Sequence, residues 1–150
     1  MTTITFNYVT YISSTLEKVW DALTKTEHTE VYFFGTAVKS EWKVGSRVEY
    51  SRGDVTDYGE ILSYEPNREM TYTWESVNDE TIRQKPTVVT FKLHQMDGDV
   101  VRLSLTHENL LEADYVEDNN SFQGFNNGWP FILSNMKTYL ETGKTLKFTL

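Results

Sequence analysis

Hydrophobic and polar residues alternate over much of the chain, and the alternation predicts strands. Ile4, Phe6, Tyr8 and Thr10 take every second position of residues 4–12, with Val9 off-register. Turn-separated runs follow at 37–43, 47–52, 57–64, 69–76, 87–95 and 99–108. Gly45-Ser46, Gly53-Asp54 and Pro66-Asn67 punctuate them, and a polar loop, 76–85, precedes the fifth. Met96-Asp97-Gly98-Asp99 joins the last two, and Asp-Gly between alternating runs is the strongest hairpin signal in the chain. Turns this short cannot connect parallel neighbours, so the runs predict an antiparallel meander of six to seven strands, with 4–12 as an added member.

The same alternation assigns faces. Met70, Tyr72 and Trp74 share a face in one strand, as do Val89, Phe91 and Leu93 in the next. Val101, Leu103, Leu105 and His107 form a third such set, with Arg102, Ser104 and Thr106 opposite. One apolar and one polar face means a sheet covered on one side only. In 57–64, Ile61 and Leu62 are neighbours, and alternation does not choose between them.

Helices must supply the cover. Trp129, Ile132, Leu133, Met136 and Leu140 make one stripe over 129–140, with Gly143 placed to end it. Taken locally, this helix starts near Trp129 with Pro130 in its first turn. Val19, Trp20 and Leu23 predict a short helix over 15–24, opened by the capping-box spacing Ser14-Thr15-Leu16-Glu17. A second helical piece covers 27–34 and ends at Gly35. The tail, 145–150, reads as a short strand or as disordered. The fold class is α+β.

Length makes this one domain, 1–150, and composition narrows its partners. At 150 residues a self-sufficient core is expected. Aromatic residues are 14%, a heavy load that suits bulky interior sheet faces. Fourteen Lys and Arg against 22 Asp and Glu give −8, a field that opposes nucleic-acid and anionic-membrane roles. Without cysteine there are no disulfides, thiolate metal sites or thiol nucleophiles. No apolar run approaches a membrane span, and Met1 to Thr10 shows no signal-peptide pattern, so a cytoplasmic location is expected.

Catalytic motifs are scarce. Thr142-Gly143-Lys144-Thr145 imitates the end of a phosphate-binding loop but has Thr138 where that motif needs Gly. His28, His94 and His107 lack metal-ligand spacing, so no metal and no cofactor are expected. His107 and Glu108 point to opposite strand faces and form no dyad. His107 itself reads either as a core-edge histidine bonded to backbone or as a polar group in a pocket. Glu41, Glu49 and Glu60 read as solvated sheet-face charges. Trp42, Tyr72, Trp74 and Trp129 serve equally as core filling or as pocket lining, whereas Trp20 reads as core.

A set of stretches in order resembles one family. They are EKVWDALT at 17–24, FFG at 33–35, WKVGSRVEY at 42–50, YGEILSYEPNREMTYTW at 58–74, TVVTFKL at 87–93, VRLSLTHENL at 101–110 and GWPFILSNMKTYLETG at 128–143. Together they resemble the activator of 90-kDa heat-shock protein (Hsp) ATPase homologue domains, in the SRPBCC (START/birch-pollen-allergen-like) superfamily. The resemblance implies a helix-grip: a curved antiparallel sheet wrapped on a long C-terminal helix, with two short helices closing one end. It also implies a last helix starting near 118–122, which would place Pro130 inside it and favour a bend there. Thr15-Leu16 stands where the family often has Ser/Thr-Pro.

The resemblance further implies a cavity between sheet and helix for an apolar, aromatic or lipid-like ligand. Alternation and the helical stripe place Trp42, Tyr72, Trp74, Phe91, Leu103, His107, Trp129 and Leu133 around it. A small-molecule binding module, monomeric or weakly dimeric, is the leading expectation. The alternative is a co-chaperone that stimulates an Hsp-type ATPase in a stress response. A polyketide cyclase or aromatase-like enzyme is a third, for which His107, Tyr58 and Tyr72 are the candidate proton carriers. No acid–base pair at a useful spacing supports it, so the reading leans against catalysis.

Overall fold

The computed structural model describes residues 2–148. Seven strands form one antiparallel sheet: β1 (Ile4–Ser13), β2 (Ala37–Ser40), β3 (Arg47–Arg52), β4 (Asp54–Glu65), β5 (Glu69–Ser76), β6 (Thr87–Met96) and β7 (Val100–Leu110). Their order, β1-β7-β6-β5-β4-β3-β2, is a meander with β1 added beside β7. Two short helices, α1 (Leu16–Thr24) and α2 (Thr26–Tyr32), follow β1, and α3 (Phe125–Thr142) closes the chain. A 3₁₀ turn, Glu112–Asp114, leads out of β7. Strands β6 and β7 pair directly, from Val88↔Glu108 to Met96↔Val100, with Asp97, Gly98 and Asp99 in the turn.

The covered face is the one alternation predicts. Met70, Tyr72, Val89, Val101, Leu103 and His107 have no solvent exposure, and from α3 Trp129, Leu133 and Met136 pack beneath them. Large side chains in this interface each contribute on the order of 1.5–3 kcal/mol by burial. The Ile61–Leu62 ambiguity resolves through a bulge. Register slips between Ile61↔Tyr72 and Ser63↔Thr71, so Leu62 is the extra residue. Ile61 is fully buried and Leu62 is 44% exposed. Two positions before Ile61, a Cβ on Gly59 would lie 1.6 Å from the Thr73 carbonyl oxygen, so only glycine allows β5 to come this close.

Three local expectations need correcting. Thr15, not Ser14, caps α1: its side chain accepts from Lys18 N–H, and the Ser14 amide instead donates to Asp99 O. Strand 37–43 stops at Ser40, because the Ser40 hydroxyl accepts the Trp42 amide and turns the chain, with Trp42 at φ 54°. Helix α3 begins at Phe125, later than the family implies and earlier than the local stripe implies. Its first turn is fixed by Asn126, whose amide group exchanges two hydrogen bonds with the Val116 backbone, at 3.0 and 2.8 Å. Asn127 adds bonds to Val116 O and Gln123 O. Pro130 lies inside the helix, where it has no N–H for the Asn126 carbonyl. Residues 145–148 form no strand, and 149–150 lie outside the described residues.

Side chains occupy part of each sheet edge. At β2 the Thr26 hydroxyl donates to Val38 O and accepts from Val38 N–H. At β1 the Lys137 ammonium takes Tyr11 O and the Glu141 carboxylate takes Ser13 N–H. These four main-chain groups are thereby withheld from pairing with another chain.

Candidate functional site

The sheet–helix interface is filled, and the hollow lies at one end of it. A cleft of about 650 Å³ opens where the N-terminal turn of α3 meets the ends of β3, β4 and β5. Six aromatic residues wall it: Phe33, Phe34, Trp74, Phe122, Phe125 and Trp129. Arg52, Asp57, Asp79, Thr81 and Asp114 supply its polar edge.

Each wall has a local cause. Phe33 and Phe34 sit at the end of α2, where Phe34 (φ 52°) and Gly35 (φ 72°) reverse the chain. Phe122 belongs to the connection pinned by Asn127 and packs on Phe131, 4.4 Å between centroids. At Gly124, φ is 83° and a Cβ would lie 2.7 Å from the Val116 amide nitrogen, so glycine is required where the connection enters α3. Trp74 and Trp129 meet edge to face, with centroids 5.2 Å apart.

A chain of hydrogen bonds behind the wall runs from the Trp129 indole to the Trp74 main chain. The Trp129 indole N–H donates to His107 Nδ1 at 3.0 Å. That leaves the proton on Nε2, which lies 2.8 Å from Thr87 Oγ1, and Thr87 donates in turn to Trp74 O at 2.7 Å. Burial depresses the His107 pKa to about 3, with Asp114 opposing and Arg83 adding to the shift. His107 is therefore neutral and fully buried, bonded to side chains rather than to backbone. The Trp74 indole N–H is the one buried side-chain polar atom without a partner among the described residues.

The polar edge is braced by an ion-pair cluster. Arg83 grips Asp114 with both terminal nitrogens, and its Nε donates to Asp79 at 2.8 Å. Asp114 also accepts Leu111 N–H. Burial pushes the Asp79 carboxyl up, but bonds from Arg83 and Thr81 outweigh it and hold the group below its usual range. Asp57 accepts from the hydroxyls of Thr56 and Ser76, at 2.9 and 2.6 Å.

The eight residues expected around the cavity divide. Trp74 and Trp129 wall the cleft. Phe91 and Leu133, again with Trp129, border a separate void of only about 10 Å³. Tyr72, Leu103 and His107 are packed solid inside the core. Trp42 lies outside, stacked on Tyr64 with 6.0 Å between centroids, because its left-handed backbone takes it off the strand. The expected cavity along the 129–140 stripe is thus occupied by side chains. Of the candidate proton carriers, His107 and Tyr72 are buried in the core and Tyr58 lies on the other sheet face under Arg47, so none lines the cleft. Sequence reasoning missed Phe33, Phe34, Phe122, Phe125 and the Arg83–Asp114 clamp. Of these, only Phe33-Phe34-Gly35 carries a sequence signal, that of a helix end.

A curved seven-stranded antiparallel sheet gripping a C-terminal helix, with two short helices after the first strand, is the helix-grip architecture. The family described as Activator of Hsp90 ATPase homolog 1-like protein matches residues 13–141, and the chain belongs to it. No curated protein matches the chain by sequence. Among solved structures, protein ChR145 from Cytophaga hutchinsonii is 27% identical, with TM-score 0.69 over 91% of this chain and 93% of that one. The Aha1 dimer from Colwellia psychrerythraea is 20% identical, with TM-score 0.71 over 94% and 98%. PFC0360w, an HSP90 activator from Plasmodium falciparum, is 19% identical, with TM-score 0.71 over 91% and 96%. At the identities of the last two, the likeness is one of fold.

Proposed function

We propose that this domain is a small-molecule binding module that holds an aromatic or apolar compound in the cleft at the start of α3. The observation that carries the reading is the cleft itself: about 650 Å³, within the usual range of small-molecule sites, walled by six aromatic rings. The aromatic wall is braced from behind by the His107 chain, and the polar edge by Arg83. Bracing of this kind holds a site open without ligand. A thermal-shift panel of aromatic compounds tests it. A binder at a hundred times its Kd adds about 2.7 kcal/mol and raises the melting temperature by several degrees. A panel that leaves the melting temperature unchanged throughout contradicts the reading.

A second reading, stimulation of an Hsp90-type ATPase, draws on the family's description and on the activator from Plasmodium falciparum. It needs a protein-docking surface rather than the cleft. An ATPase assay with saturating domain decides it: stimulation supports the reading, and an unchanged rate removes it.

A further inference from the structure

The charged groups of the cleft are unequally satisfied. All three carboxylates already have donors. Asp57 has two hydroxyls, Asp79 has Arg83 and the Thr81 amide, and Asp114 has Arg83 and the Leu111 amide. Arg52 is different. Its guanidinium makes one hydrogen bond, Nη1 to Thr36 Oγ1 at 3.2 Å, and no ion pair among the described residues. A planar fork with several free N–H groups is suited to a carboxylate.

A second feature of the same cleft also favours negative charge. Helix α3 opens onto the cleft through Gly124 and Phe125, has no capping side chain and carries no acidic residue in its first turn. Its N-terminal dipole therefore favours negative charge there. The carboxylates of the lining are thus supplied with donors from within the protein, and the exposed Arg52 is the lining cation with donors to spare.

We propose that the compound held in this cleft is an aromatic or apolar carboxylate, its acid group on Arg52 and its ring between the aromatic walls. The proposal rests on the binding reading above and adds the charge of the ligand to it. The opposing consideration is Asp57, whose charge is hydrogen-bonded but not neutralised by a cation. Were Asp57 to dominate, the cleft would prefer an amine.

Three probes of one shape separate the cases by isothermal titration calorimetry at about 0.15 M salt, where charges beyond ~8 Å are largely screened. They are 1-naphthoate, 1-naphthamide and 1-naphthylmethylammonium. The expected order places naphthoate about tenfold tighter than the amide, with the ammonium weakest. Arg52→Gln, verified as folded by circular dichroism, should erase the margin of the acid over the amide. If the ammonium binds tightest, or the margin survives Arg52→Gln, the carboxylate assignment is overturned while binding in the cleft stands. Equal binding of acid and amide by the unaltered protein overturns it in the same way. If none of the three binds, the binding reading fails and the assignment fails with it.

Discussion

Burial holds His107 neutral, and this gives the fold a measurable pH dependence. A neutral histidine with a folded pKa near 3 and an ordinary unfolded value near 6.5 contributes no pH dependence above about 6.5. As pH falls below that, the unfolded chain takes up the proton and the folded one does not, so stability declines. Between pH 6.5 and 5.0 the loss integrates to roughly 1.5 kcal/mol. Urea unfolding at the two pH values should show it, and His107→Gln should remove most of the difference. Asp79 and Glu141, with lowered pKa values, lose their contributions at lower pH, as the solution pH falls through the carboxylate range. The inward position of His107 was legible from its alternation with Leu103 and Leu105. Its partners were not, because Thr87 and Trp129 lie 20 and 22 residues away and no local pattern pairs them.

At the scale of elements, turn residues bounded the strands, and period-two alternation assigned the faces of β5, β6 and β7, each of which has one buried face. It failed where side chains act on backbone. Ser40 ends β2 early and Leu62 bulges from β4, and both effects break the period rather than continue it. The start of α3 lies earlier than its apolar stripe for a similar reason: the stripe begins at Trp129, whereas bonds from Asn126 and Asn127 to Val116 fix the first turn. Thr26 blocks the β2 edge with a single hydroxyl. Thr26→Val should cost about 1–2 kcal/mol in chemical denaturation and, by freeing the edge, promote self-association in size-exclusion chromatography. Arg83 joins the β5–β6 loop to the 3₁₀ turn and holds two carboxylates of the cleft's polar edge, Asp79 and Asp114. Arg83→Met leaves Asp114, only 6% exposed at its side chain, without its cation. The expected cost is about 2–3 kcal/mol, with faster amide hydrogen exchange confined to residues 77–86 and 111–116.

Across the whole molecule, the aromatic load that suggested a ligand cavity also moved it. Tyr50, Tyr72, Trp74, Phe91 and Trp129 pack ring against ring between sheet and helix and leave only about 10 Å³ there. Tyr50 and Tyr72 also share a 2.7 Å hydroxyl contact, and burial raises both phenol pKa values, so the pair is neutral. Space remains where the α2 turn, the 115–124 connection and the β5–β6 loop meet. The sequence pattern of strands and stripe predicts the architecture but not this junction, since loops carry no periodic signal. No described helix is long and apolar enough to cross a membrane. The proposed ligand site is the cleft and not the sheet–helix interface. The four tryptophan indole N–H groups report on it separately: Trp74 and Trp129 line the cleft, Trp20 donates to Tyr64 OH, and Trp42 stacks on Tyr64. Titrating 1-naphthamide into ¹⁵N-labelled protein and following the four indole cross-peaks is the direct measurement. The account predicts progressive shifts for Trp74 and Trp129 with Trp20 and Trp42 stationary; shifts centred on Trp20 and Trp42, or four unmoved peaks, would contradict it.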